Sequence, residues 1–297
     1  MKPRDGVRAT SGPGRAGEEA QLAAARQHLP SGSDPPSSAM PPAADLGRAL
    51  AIITGASRGF GRALARDVSR SVRPGSALVL VARSGEELRA LQAELVGLKV
   101  EVVVADVGLT SGLEDVLTRS KQVFTEDMDH LVLFNNAASL GDVSRYTKDF
   151  TDMAVVDSYL SLNVSSALCL TARVLQAFPQ SPGLRRTVVN VSSLCAQQPF
   201  PSWVLYCTGK AARDMTFRVL AEEEPDLRVL SYAPGPLDTS MQVEARTKTA
   251  DPNLKRSCSD LLVQGQLLSC EASCSKLMKV LLEDSFTSGA HVDVFDV

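Results

Sequence analysis

The chain has 297 residues, 44% of them hydrophobic and 22% charged, which is enough apolar material for a full core and excludes wholesale disorder or a collagen-like fibre. A formal net charge of -3 gives no long-range pull toward nucleic acid or anionic lipid, so neither a polyanion partner nor a membrane partner is expected. The longest uncharged run, Thr187 to Gly209, contains Asn190, paired serines, two glutamines and two prolines and is too polar to span a bilayer.

Residues 1–45 hold seven of the 16 prolines and, of Ile, Leu, Val and Phe, only Val7, Leu22 and Leu29. Such a stretch cannot offset its own ordering entropy, and it reads as a disordered N-terminal extension. Lys2, Arg4, Arg8 and Arg15 would suit a transit peptide, but Asp5, Glu18, Glu19 and the prolines spoil an amphipathic helix. Met40 also leaves open an upstream-start extension.

Residues 46–297 read as one α/β domain, in which short Val/Ile/Leu runs alternate with longer helical segments, the pattern of βαβ units around a parallel sheet. The first run, Ala49–Thr54, leads into Thr54-Gly55-Ala56-Ser57-Arg58-Gly59-Phe60-Gly61 and then the helix Arg62–Val72. Gly55 permits a tight turn, and Gly59 and Gly61 let backbone N–H groups approach a pyrophosphate. The second strand, Ala77–Ala82, ends at Arg83, where an acidic residue would otherwise accept the ribose 2′-hydroxyl of NAD. With Arg58, a guanidinium at that place suits a 2′-phosphate, so NADPH/NADP+ is expected. Helix Gly85–Leu95, strand Val100–Ala105 and helix Gly112–Phe124 follow, with Asp106 placed to meet an adenine amine or to cap a helix.

Strand Leu131–Asn135 and the long helix Met153–Phe178 precede strand Thr187–Val191, at whose carboxyl end lie Ser192 and Ser193. Helix Val204–Glu224 carries Tyr206 and Lys210 four residues apart, hence on one face. A lysine cation beside a phenol stabilises the phenolate and moves it toward the working pH, while a strand-end serine hydroxyl can hold a carbonyl oxygen. Strand Arg228–Tyr232, helix Cys270–Leu282 and strand His291–Phe295 complete seven strands, and no second core is evident. Six cysteines without C-x-x-C spacing read as reduced thiols of a cytoplasmic protein, and three histidines leave little material for a metal cluster or a Ser-His-Asp site.

The glycine turn, Asn135-Asn136-Ala137, Asn163, Ser193, Tyr206, Lys210 and Pro234-Gly235 together resemble the short-chain dehydrogenase/reductase family over about residues 48–297. The strand and turn Ala51 to Arg62, with further support from Ser139-Leu140-Gly141-Asp142-Val143-Ser144, Tyr232 to Thr239 and Ser288 to Asp293, narrow the likeness to its pterin-reducing members. The resemblance implies a single-domain Rossmann-like doubly wound parallel sheet and NADPH-dependent reduction of a pterin side-chain ketone, as in the last step to tetrahydrobiopterin. It makes Tyr206 the general acid, Ser193 the orienting hydroxyl, Lys210 the tuner of Tyr206 and holder of the nicotinamide ribose, and Asn163 the holder of a relay water. It implies cofactor contacts from Gly55 through Gly61, from Arg83 and Ser84, Asp106 and Val107, Asn136, Lys210, and Leu237, Asp238, Thr239, Ser240, Met241 and Gln242. Substrate contacts fall to Ser192, Ser193, Tyr206, Gly235 and Asp293, with Asp293 pairing the 2-amino and N3–H edge of the pterin. A homodimer through Met153–Phe178 and Val204–Glu224 is also implied. The family's usual Asn-Asn-Ala-Gly reads Asn135-Asn136-Ala137-Ala138 here, one methyl more beside the cofactor. Trp203 and Met241 are candidates for apolar walls or for core. A broad carbonyl reductase of diketones, quinones or steroids and a non-catalytic NADPH-binding regulator are the competing readings.

Overall fold

A computed structural model describes residues 45–297; the expected disordered extension lies, apart from Asp45, outside them. Seven parallel strands, β1 (Ala49–Thr54), β2 (Ala77–Ala82), β3 (Lys99–Val104), β4 (His130–Asn135), β5 (Arg185–Val191), β6 (Arg228–Ala233) and β7 (Ala290–Asp293), form one sheet. Their order is β3-β2-β1-β4-β5-β6-β7. The helices are α1 (Gly59–Arg70), α2 (Gly85–Glu94), α3 (Thr110–Val123), α4 (Met153–Leu160), α5 (Ser166–Ala177), α6 (Val204–Glu223), α7 (Ser240–Lys248), α8 (Pro252–Val263) and α9 (Cys270–Glu283).

Every residue of β1 and β4 is buried, as strands covered on both faces must be. Alternation sends Ala51, Ile53, Leu80 and Phe134 to one face, where Phe60 of α1, Leu88 of α2 and Leu277 of α9 pack. Leu50, Ile52, Val81 and Leu133 go to the other, against Val116 of α3, Leu170 of α5 and Phe217 of α6. Each such side chain removed from water contributes about 1.5–3 kcal/mol. The chain steps outward from β1 to β3 and then crosses to β4, so its direction of winding reverses between β1 and β4. Doubly wound sheets hold their ligands outside the strand ends at that point.

The expected doubly wound seven-stranded sheet is what forms, and the departures are local. The helix expected from Arg62 begins at Gly59, and the single helix expected over Met153–Phe178 is broken by a π turn at Ser161–Ser165. The last strand stops at Asp293 instead of Phe295, because Asp293 Oδ1 accepts from Phe295 N at 3.1 Å and Asp293 N donates to Asp296 Oδ2 at 3.1 Å, closing a 3-10 turn. Helices α7 and α8 were not expected. The start of α8 is nonetheless written locally: Asp251 accepts from Asn253 N and Leu254 N, and Pro252 takes the first helical position. Among the described residues one helical stretch, Met153–Ala177, has the length and composition to cross a membrane. Here its Ala167, Leu170 and Val174 enter the sheet's core.

Candidate active site

Thr54 ends β1 by joining three segments at the switch point. Its hydroxyl oxygen accepts from Asn136 N and Ala137 N, both at 3.0 Å, and its hydroxyl donates to Phe134 O at 3.2 Å. Asn136 Nδ2 donates to Thr54 O at 2.8 Å and Gly55 O at 3.1 Å, so this side chain braces the glycine turn. Gly55 and Gly59 have φ of +69° and +53°, a region costly for other residues. A Cβ on Gly61 would sit 2.2 Å from Gly55 O. Arg58 is the N-cap of α1 and gives no side-chain cap, which leaves the helix's first N–H groups free for an anion. This cradle, which side chains would fill, fits a dinucleotide pyrophosphate.

Around it stand the other expected cofactor residues. Ala56 N donates to Val81 O, while Phe60 and Val107 are buried. Ser57 is half-buried beside them. Arg83 and Arg58 follow the ends of paired strands β2 and β1; Arg83 is exposed, with Nη1 3.8 Å from Asp106 Oδ2. Asp106 caps no helix: its Oδ1 accepts from Gly108 N at 2.9 Å, and Leu109 takes the N-cap position of α3. Ser84 is the N-cap of α2 without a side-chain bond. Leu237 bridges to Leu268 and Asp238 N donates to Leu268 O, which sets Thr239 at the start of α7 with its hydroxyl uncommitted to the cap. Thr239 Cγ2 lies 3.3 Å from where a Gly59 Cβ would stand, so this segment faces the glycine turn. Ser240 is exposed. Gln242 is buried, with Nε2 donating to Cys258 O at 3.3 Å.

After β5 and on α6, Ser193, Tyr206 and Lys210 come together. Ser193 Oγ accepts from Cys195 N at 3.2 Å as cap of a short 3-10 turn, and its own proton stays free to donate. Tyr206 is buried, edge-on to Trp203 at 5.8 Å, with Oη 3.9 Å from Met241 Sδ. Trp203 Nε1 donates to Thr249 Oγ1 at 3.0 Å, so Trp203 and Met241 belong to an apolar cluster that α7 and α8 close over this side of the site. Lys210 Nζ lies 5.5 Å from the Tyr206 ring centroid and donates to Val191 O at 2.6 Å.

The electrostatics differ from the sequence expectation. Burial, then Cys195, pushes the Tyr206 phenol above its ordinary range, against the pull of the Ser193 hydrogen bond and Arg213. Lys210 is itself pushed down to about 7 by burial and the neighbouring Arg213, with Asp214 and Cys195 opposing. In this enclosed site desolvation is the largest influence on the phenol, which stays protonated at neutral pH.

Asn163 occupies the π turn, where its Oδ1 accepts from Ser139 N at 2.8 Å and its Nδ2 donates to Tyr159 O at 2.9 Å. Ser192, expected to meet substrate, instead turns its hydroxyl to Asp214 Oδ1. A buried serine beside a buried carboxylate has no better acceptor. Gly235, expected to leave room for a substrate ring, has φ of +76°, and a Cβ there would stand 2.7 Å from Val294 Cγ1 and 3.2 Å from Leu268 Cδ1. Packing against the protein itself thus requires the glycine. Asp293 is half-buried at the end of β7; burial raises its pKa and the Phe295 N–H lowers it. The sequence reading missed Tyr159, Arg213, Asp214 and His291, which surround these groups; the placement of Asp214 four residues after Lys210 was the available signal.

Residues 49–250 match the short chain dehydrogenase family. The chain is 51% identical over 256 residues to sepiapterin reductase of Bos taurus, covering 84% of this chain and 96% of that protein. It is 52% identical over 256 residues to sepiapterin reductase of Meriones unguiculatus, covering 84% and 98%. The solved KRED1-Pglu enzyme aligns with a TM-score of 0.71 at 28% identity, over 82% of this chain and 99% of that one.

Proposed function

The chain belongs to the short-chain dehydrogenase family, and from that premise we propose that it reduces the side-chain ketone of a pterin, sepiapterin to 7,8-dihydrobiopterin, with NADPH as reductant. The observation that carries this reading is that the likeness to sepiapterin reductases runs through almost their whole length, well beyond the fold's shared framework. When bound, NADPH supplies hydride to the carbonyl carbon. Ser193 donates a hydrogen bond to the ketone oxygen, keeping its own proton, and holds that oxygen toward Tyr206. Tyr206, kept protonated by burial, gives its proton to that oxygen as negative charge develops there. Lys210 stabilises the phenolate left behind, and Asn163, in the opened π turn, holds the water that returns a proton.

Asp293 takes the pterin's 2-amino and N3–H groups. It ends β7 as Ser193 follows β5, two strands apart in the sheet, or about 10 Å, a span that a bicyclic pterin with its side chain bridges. NADPH is favoured over NADH by Arg83 at the place where a carboxylate would repel the 2′-phosphate. Six free cysteines among the described residues support a reducing, cytoplasmic setting. A homodimer is supported by an apolar groove between α5 and α6, with Leu168, Met215 and Val219 exposed along it. Sedimentation is expected to show a dimer that Met215→Lys with Val219→Lys converts to monomer; a monomeric parent protein overturns the dimer.

The deciding assay follows NADPH and NADH oxidation with sepiapterin and with a simple diketone, in the parent and in Asp293→Ala. Sepiapterin is reduced with NADPH preferred, and Asp293→Ala loses about 10- to 150-fold in kcat/KM on the pterin, the worth of hydrogen bonds to a charged group. The diketone rate is unchanged. Equal losses on both substrates would contradict the anchoring role, and no turnover of sepiapterin by the parent would overturn the reading.

A further inference from the structure

The sheet interior carries a row of polar side chains directly beneath the site. Asn135, Asn190, Ser231 and His291 are register partners across β4, β5, β6 and β7. On an otherwise apolar face such a row costs free energy unless every group is bonded. Thr171 of α5 accepts from Asn135 Nδ2 at 2.9 Å, and two adjacent residues of α6 bond most of the remainder. Arg213, buried, donates through Nε to Asn190 Oδ1 at 2.8 Å, through Nη1 to Ala137 O at 3.2 Å and through Nη2 to Asn135 O. Asp214 takes the rest: Oδ1 accepts from Asn190 Nδ2 at 2.9 Å and from the Ser192 hydroxyl, and Oδ2 meets His291 Nδ1 at 2.6 Å. Asn190 Nδ2 also donates to Ser231 Oγ at 3.0 Å.

Two of the three partners of Asp214, Ser192 and His291, are covalently close to a working residue. Ser192 precedes Ser193, and His291 stands two residues before Asp293, on the same face of β7. Asp214 itself follows Lys210 by one helical turn and Tyr206 by two, on their face of α6. We propose that Asp214 is a positioning residue of the reduction, tying the strand ends that present Ser193 and Asp293 to the helix face that presents Tyr206 and Lys210. The inference rests on the carbonyl-reductase reading above. The same carboxylate also bears on charge. Lys210 faces Arg213 from its own helix, Cys195 from the 3-10 turn and the Tyr206 phenol; Asp214 is the carboxylate that opposes Arg213 and helps keep the ammonium protonated.

Asp214→Asn tests this, since it keeps the shape and removes the charge. An ammonium is lost as pH rises through its pKa, so a lower Lys210 pKa moves the loss of kcat to lower pH. The variant is expected to shift that alkaline limb down by about one pH unit and to raise KM for sepiapterin about tenfold, with NADPH affinity within about twofold of the parent. In the cofactor-free chain, nitrogen NMR of Lys210 Nζ is expected to show the same downward shift. His291→Phe, at a largely buried position on the edge strand, is expected to raise the same KM about tenfold without moving the Lys210 titration, and His291→Gln, which keeps a donor, to restore it. An Asp214→Asn protein with Lys210 titration and KM both unmoved overturns the proposal, as does a loss of NADPH and sepiapterin affinity in equal measure. If Asp214→Asn does not fold, an unchanged KM in His291→Phe overturns it alone. Absence of sepiapterin turnover in the parent sinks the reductase reading instead, and the NMR titration still decides the role of Asp214.

Discussion

Tyr206→Phe lowers kcat by about 10²- to 10⁴-fold, the range for loss of a positioned general acid, while NADPH binding is retained. The separation follows from what the hydroxyl touches. Its protein partners are the Ser193 hydroxyl and, at 3.9 Å, the weakly accepting Met241 thioether; Ser193 Oγ keeps its bond from Cys195 N when the phenol oxygen is removed, so no strong polar group is left without a partner. The ring remains, and with it the edge-on contact to Trp203 and the Lys210 ammonium over its face. A loss in kcat with unchanged melting temperature and unchanged NADPH fluorescence titration is therefore expected. Turnover within a few-fold of the parent would remove Tyr206 from the chemistry. The phenol's raised pKa gives the direction of catalysis its sense: a group held protonated by burial is suited to giving a proton to a reduced carbonyl.

Gly61→Ala weakens cofactor binding through backbone collision. The new methyl would lie 2.2 Å from Gly55 O, 2.9 Å from Gly55 C and 2.5 Å from Asn136 Nδ2. None of these is free to retreat, because Gly55 is held in its left-handed conformation and Asn136 Nδ2 is bonded to Thr54 O and Gly55 O. Overpacking of this kind costs about 1–3 kcal/mol, and displacement of the turn by a corresponding amount weakens NADPH by roughly 5- to 150-fold. Melting falls by about 2–4 °C per kcal/mol in a chain of this size. Gly97→Ala is the control: its φ is +87° with nothing within 4 Å of the added carbon, so it destabilises modestly by backbone strain and leaves NADPH affinity intact. An NADPH dissociation constant unaltered by Gly61→Ala contradicts the cradle.

What was legible in the amino-acid order was whatever depends on near neighbours along the chain. The apolar run into Thr54-Gly55, the glycines that follow it, and the four-residue step from Tyr206 to Lys210 each specify a turn or a helix face by local sterics and periodicity. The start of α8 belongs with them, since Asp251 and Pro252 announce it within four residues, although α7, with little amphipathic contrast, carries no comparable mark. The side of the sheet edge on which Ser193 falls also follows from the parallel β-α alternation.

The tertiary structure alone decided the partners of Asp214, which are drawn from residues 22 to 77 positions away, and hence that Ser192 turns its hydroxyl inward to a carboxylate. It decided that burial is the largest influence on Tyr206, and that Gly235 is required by Val294 and Leu268. Periodicity reports which face of an element is apolar, but desolvation and close approach depend on what other elements bring to that face, and only the folded chain sets those distances.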